Sequence, residues 1–186
     1  MTAELTARDK IIEAAYKVMA EQGYAATTIS AIASEAGVAR GLLHYYFKNK
    51  EEILVEVLKE LSRRYTLRMR QLSQELPATD LSRAAISDAQ KRLDRERERF
   101  LLRFELFALA LRNPTLRAGA GELMESGRVS IANAIQRATE GRERSPEALA
   151  AVILACLDGL ALQQLMDPTF DASSAYDRLY ELVSGL

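Results

Sequence analysis

GYAATTISAIASEAGVARGLLHYYFKNK, residues Gly23–Lys50, is the most informative stretch of the chain. Thr27 and Thr28 stand before Ile29, Ile32, Ala33 and Ala36. Those apolar positions recur three and four apart, as on one face of a short helix. A threonine just ahead of such a run accepts a backbone N–H as an N-cap. Ala36-Gly37-Val38 stops the helix, and Gly37 suits a turn whose positive φ costs other residues energy. A third short helix follows from Arg40 to Phe47, with Leu43 and Phe47, four apart, anchoring it from beneath. Ala33 is small where the two helices cross, and Ile32 and Val38 seal the angle between them. Two short helices about a glycine turn form a helix-turn-helix pattern.

Working outward, Ile11, Ile12, Ala15, Val18 and Met19 predict a first helix from about Arg8 to Gln22, closed by Gly23. Downstream, Lys48-Asn49-Lys50 is a polar turn. A long helix then runs to about Glu75, with Glu51 and Glu52 at its positive end. It carries Ile53, Leu54, Val57, Leu58, Leu61, Tyr65 and Leu72. Pro77-Ala78-Thr79-Asp80 is the first clear connection. Helices are predicted at about 80–95, 97–111, 115–139, 146–166 and 172–185, parted by Asn113-Pro114, Gly141 to Pro146 and Asp167-Pro168. Ser145-Pro146 reads as a cap followed by a proline at the first helical position. No alternating strand pattern occurs. The fold class is therefore all-α with about nine helices: a three-helix helix-turn-helix domain over 1–50 and a helical domain over 51–186.

The 186 residues carry a net charge of -1, so DNA or membrane is not attracted by a global field. Affinity for DNA must come from a local patch. A single cysteine, Cys156, and a single histidine, His44, exclude an internal disulfide and argue against a metal centre, so no cofactor or metal is expected. No nucleophile motif or glycine-rich phosphate loop is present, so no catalytic residue is assigned and an enzyme is not expected. The N-terminus lacks a signal-peptide pattern. No apolar stretch approaches the ~20 residues of a membrane span. These features predict a cytoplasmic location without a membrane partner.

The local patch is the third helix. Between Arg40 and Lys50 there is no acid, while Arg40, Lys48 and Lys50 supply positive charge among His44, Tyr45 and Tyr46. Basic residues interleaved with aromatics suit a phosphate-lined groove. Arg40 can pair with guanine O6 and N7. Gly41 lets the backbone approach closely. Tyr45, Tyr46 and His44 can donate to phosphates or touch a thymine methyl. Lys50 and Thr28, each at a helix start, can hold a phosphate with side chain and backbone N–H.

The run Gly23-Tyr24-x-x-Thr27-Thr28-x-x-x-Ile32-Ala33-x-x-Ala36-Gly37-Val38-x-x-Gly41-x-Leu43-x-x-Tyr46-Phe47-x-x-Lys50 resembles the TetR family DNA-binding domain over about residues 8–54. The resemblance implies a homodimeric transcriptional regulator, most simply a repressor, that reads a palindromic operator in double-stranded DNA. It implies Thr28, Arg40, Gly41, His44, Tyr45, Tyr46 and Lys50 as DNA contacts. Position 44 is more often tyrosine in that family. Leu106 to Arg117 and Leu157 to Gln163 resemble the BetI-type subgroup of its C-terminal domains. Residues 148–162, apolar nearly all round, then form a dimer seam with Leu179, Leu182 and Val183. Tyr65, Met69, Phe100, Phe104, Phe107 and Met124 have the spacing of plain core residues; the resemblance implies that they line a cavity for a small-molecule effector. Lys91 to Arg103 alternates bases and acids and reads as a solvated, salt-bridged face. The competing readings are an enzyme, a helical scaffold that binds DNA without an effector, and an activator in place of a repressor.

Overall fold

A computed structural model describes residues 6–184. Among them are nine α-helices: α1 (Ala7–Ala26), α2 (Ile29–Ala36), α3 (Arg40–Tyr46), α4 (Lys50–Glu75), α5 (Ala78–Arg95), α6 (Arg97–Arg112), α7 (Pro114–Ala138), α8 (Pro146–Met166) and α9 (Ala172–Ser184). No strand occurs among the described residues. The chain divides into two compact units. One runs through Ser62 and takes in Glu98–Leu123; the other joins Arg63–Arg97 to the chain from Met124 onward. This division crosses residue 50 because Ile53, Leu54, Val57 and Leu58 of α4 are fully buried in the first unit's core.

In the first unit, α1 opens with a capping box. The Asp9 N–H donates to Thr6 Oγ1 at 3.2 Å, and the Thr6 N–H donates back to the Asp9 carboxylate. All the apolar positions predicted for α1 are buried, Ile11, Ala15 and Met19 completely. Gly23 (φ 78, ψ 160) breaks the helical path, and one further turn, Tyr24 to Ala26, follows before α2. Leu43, Phe47 and the α4 residues close over this core, joined by Leu102, Leu106 and Ala110 of α6 and Leu116, Ala120 and Leu123 of α7. Gly119 lets α7 approach α4: a Cβ there would lie 3.3 Å from Leu58.

In the second unit, Ile131, Ala132 and Ile135 of α7 pack on Ala150, Ile153 and Leu154 of α8. Gly127 sits against Leu154, where a Cβ would come within 3.1 Å. Ile86 of α5 packs on Ala172, Tyr176 and Leu179 of α9, with Cys156 half-buried beside them. Lys91 to Arg103 is only partly a solvated face. Leu93, Phe100 and Leu102 are buried, and Arg97 Nη2 donates to the Leu165 carbonyl at 2.9 Å. α5 and α6, which meet at Glu96, each turn part of this segment inward despite the charge alternation. Ser145 occupies the α8 N-cap as expected, yet its hydroxyl makes no capping bond, because its ψ of 57 is not the extended one that aims the side chain at the helix.

The expectation that no helix approaches membrane-spanning length and composition needs correction at α8. Its 21 residues include a window of mean hydropathy 1.8, enough by length and composition to cross a bilayer. Glu147 and Asp158 are the charged residues of α8. Ala150, Ile153, Leu154, Ala161 and Leu165 are buried in the second unit, while Val152, Leu162 and Met166 are exposed at 59%, 39% and 78%.

The Tyr176 hydroxyl is pushed up to about 12, first by burial and then by the charges of Asp94 and Asp158. An unfolded phenol ionises near 10. The neutral ring's stabilising contribution is therefore complete below that pH and is lost as pH rises from about 10 to 12. Tyr176→Phe is expected to flatten the decline in melting temperature across that interval, read by thermal denaturation at successive pH values. An unchanged decline would show that other groups govern it.

Candidate nucleic-acid interface

Local chemistry sets the two short helices. Thr28 caps α2, its Oγ1 accepting the Ala31 N–H at 3.1 Å. Gly37 ends α2 in the left-handed region (φ 65, ψ 32), and the Val38 N–H then reaches back to the Ala33 carbonyl at 3.1 Å. Leu43 (0% exposed) and Phe47 (3%) seat α3 on the core. The rest of α3 consequently points outward: Arg40, Gly41, Leu42, His44, Tyr45 and Tyr46 are all exposed. Tyr45 is 80% exposed, and its ring meets that of Tyr46 edge-on with centroids 5.2 Å apart. Lys48 and Asn49 continue the exposed surface. Asn49 Oδ1 accepts the Glu52 N–H and the Glu52 carboxylate accepts the Lys48 N–H, each at 2.8 Å, which fixes the turn into α4.

Space around Gly41 gives a direct test of close approach. A Cβ built there meets nothing within 4 Å. Gly41→Ala is therefore expected to raise helix stability by about 0.5–1 kcal/mol. DNA binding should nonetheless weaken roughly tenfold or more if the backbone lies against the duplex. Thermal melting and anisotropy titration read the two effects separately; unchanged DNA affinity would remove Gly41 from the interface.

Lys50 is engaged differently from what its charge alone suggests. Its Nζ donates to the carbonyls of Tyr24 at 2.7 Å and Thr27 at 3.0 Å, and lies 4.2 Å from the centroid of the Tyr24 ring. The amine therefore turns inward to the end of α1. A residue that sequence reasoning passed over meets the same turn: both oxygens of Glu105 accept the Tyr24 N–H, at 3.0 and 3.2 Å. The available signal was a lone acid inside the apolar run Leu101 to Leu111. Burial, then the charges of Glu51 and Glu105, raises the Tyr24 hydroxyl above its ordinary value.

The six residues named for an effector fall in two groups. Phe100, Phe104 and Phe107 lie on α6 in the first unit; Tyr65 and Met69 on α4 and Met124 on α7 belong to the second. Phe100 is buried and the others are half-buried. The Arg103 guanidinium lies 5.3 Å from the Phe107 centroid, and that of Arg92 5.9 Å from Tyr65. The second unit carries an open groove of about 460 Å³ between α7 and α8, lined by Val129, Ala132, Ala148 and the acids Glu125 and Glu147 among others. None of the six lines it.

Known proteins share this architecture. Residues 11–57 match the family model for bacterial regulatory proteins of the tetR family, and residues 77–186 match the tetracyclin repressor-like C-terminal domain. The fatty acid metabolism regulator protein of Bacillus subtilis is 48% identical over 60 residues, 32% of this chain and 31% of that relative. The match thus spans about a third of the relative's length. Among solved structures, FadR from Bacillus subtilis in complex with stearoyl-CoA superposes with a TM-score of 0.75 at 25% identity, over 94% of this chain and 96% of that one. The multidrug binding protein EbrR complexed with ethidium gives 0.74 at 27%, over 95% and 98%. With the two family models together accounting for most of its length, this chain belongs to the tetR family of bacterial regulatory proteins.

Proposed function

We propose that the protein is a homodimeric repressor that reads a palindromic operator with two copies of α3 and is released from it by a small molecule. The observation that carries this reading is the acid-free, exposed surface of α3 standing on a buried Leu43–Phe47 base. Arg40 supplies base discrimination, Gly41 the close approach, and His44, Tyr45 and Tyr46 contacts to phosphates and base edges. Thr28 at the start of α2 and the backbone N–H of Lys50 at the start of α4 hold phosphates. Two α3 helices in successive major grooves stand roughly 34–36 Å apart.

Dimerisation is supported by α8. Ala148, Ala151, Val152, Ala155, Leu162 and Met166 form one exposed apolar stripe at helical spacing, with Leu182 of α9 exposed at 60%. Such an exposed apolar face is covered in solution by association. Release requires an effector that prefers a dimer with a different α3 separation; taking the population from 1:99 to 99:1 needs ~10⁴-fold preference. Phe104 and Phe107 are proposed as effector contacts. The structural neighbours' ligands, stearoyl-CoA and ethidium, are both large and partly apolar, and a partly apolar effector is proposed here. The cytoplasm, where the DNA lies, is the proposed location.

Selection of binding sites by the wild-type protein from a random-sequence duplex pool tests the core of this reading. The expected result is a palindromic consensus whose affinity falls steeply with salt. Enrichment of no sequence would overturn it.

A further inference from the structure

We infer that Glu105 and Lys50 are positioning residues for DNA recognition, jointly holding the backbone of Tyr24 and through it the angle at which α2 and α3 leave α1. The inference rests on the DNA-reading role proposed for α3.

The turn between α1 and α2 needs outside support. Gly23 (φ 78, ψ 160) leaves the helical path, in a region that only glycine enters readily. The Tyr24 N–H is thereby taken out of the helical ladder and needs another acceptor. Glu105 of α6, 81 residues along the chain, supplies it with both carboxylate oxygens. At the other end of the same residue, the Tyr24 carbonyl accepts from the Lys50 amine of α4 at 2.7 Å. Thr27, buried to 3% exposure, completes the turn by donating its hydroxyl to the Gly23 carbonyl at 2.8 Å. A negative group from one helix and a positive group from another thus clamp one residue, each through charge-assisted bonds stronger than neutral ones.

Other ties between α1 and α2 leave room for this clamp to matter. The Lys17–Glu35 pair at 2.6 Å is solvent-exposed and contributes little. Packing through Ile32 and Ala33 holds α2 against the core, and the clamp adds directional bonds at the turn that leads into it. Glu105 lies in the segment matched by the C-terminal family model. A residue outside the helix-turn-helix therefore helps to set how α3 meets a groove.

The test uses the full-length protein and two duplexes: the sequence selected by the wild type from a random pool, and a scrambled duplex of equal length and composition. Glu105→Ala is expected to bind the selected duplex roughly tenfold or more weakly. Its affinity for the scrambled duplex should stay within about twofold, since phosphate contacts tolerate a tilted helix better than base contacts. Glu105→Gln, whose amide oxygen still accepts the Tyr24 N–H, should recover the selected duplex to within about threefold. Wild-type affinity in Glu105→Ala, an equal loss on both duplexes, or a glutamine variant as weak as alanine would each overturn the inference. Hydrogen exchange of the Tyr24 amide in the wild type needs no variant to fold: protection like that of core amides is expected, and exchange at the rate of an exposed peptide would overturn the inference too. A wild type that selects no sequence would refute the DNA-reading role itself, while the Tyr24 exchange rate would still report on the clamp.

Discussion

Replacing Val152 by glutamate is expected to turn the proposed dimer into monomers and to lower operator affinity by ~10²–10⁴-fold, the gain ordinarily supplied by two linked binding sites. Val152 is 59% exposed in the single chain, so a carboxylate there is solvated and the fold of one protomer is not strained. In a symmetric pair the position occurs twice on one self-complementary surface. Association would desolvate two carboxylates among Ala151, Ala155, Leu162 and Met166, a burial that costs several kcal/mol per unpaired ion. Sedimentation should show the variant as a monomer where the wild type is a dimer, with helical content unchanged by circular dichroism. A wild type that sediments as a monomer at every concentration would end the dimer reading. A variant that stays dimeric would move the seam away from the α8 stripe.

Leu43→Ala is expected to cost about 2–5 kcal/mol locally and to abolish sequence-specific binding. α3 has only seven residues, far below the length at which an isolated helix persists in water. Leu43 is its sole buried member, fully enclosed in the cluster that holds Ile32, Phe47 and Leu54. Truncation leaves a cavity and removes the contact that keeps the helix docked. Because α3 is short, total helicity should fall little while amide exchange over 40–47 accelerates strongly. Leu43→Met, similar in volume, should keep most of both stability and binding. If Leu43→Ala bound the selected duplex like wild type, α3 would not be the reading element.

Short-range chemistry wrote most of the reading head into the chain. Gly37 needs its left-handed φ, Thr28 caps the helix just after it, and Leu43 and Phe47 are spaced to share one face; each depends on neighbours within four residues, so pattern alone places them. The helix count and most boundaries follow for the same reason, with α8 predicted at the residues it occupies and α5 to α7 displaced by one or two at their ends. Prolines 114 and 146 mark helix starts because a missing N–H is harmless there.

Long-range geometry settled the remainder. Lys50 reads as a free cation beside the groove, yet its amine caps the end of α1, since the crossing of α4 and α1 brings three carbonyls within its reach. Glu105 looks like an isolated acid in an apolar helix until α6 lies against the break at Gly23. The α8 composition announces burial on every side but does not say which face the chain's own core takes and which stays open as a stripe. Spacing along a helix fixes which residues share a face; what that face meets is set by pairings between segments tens of residues apart, and those exist only once the helices have packed.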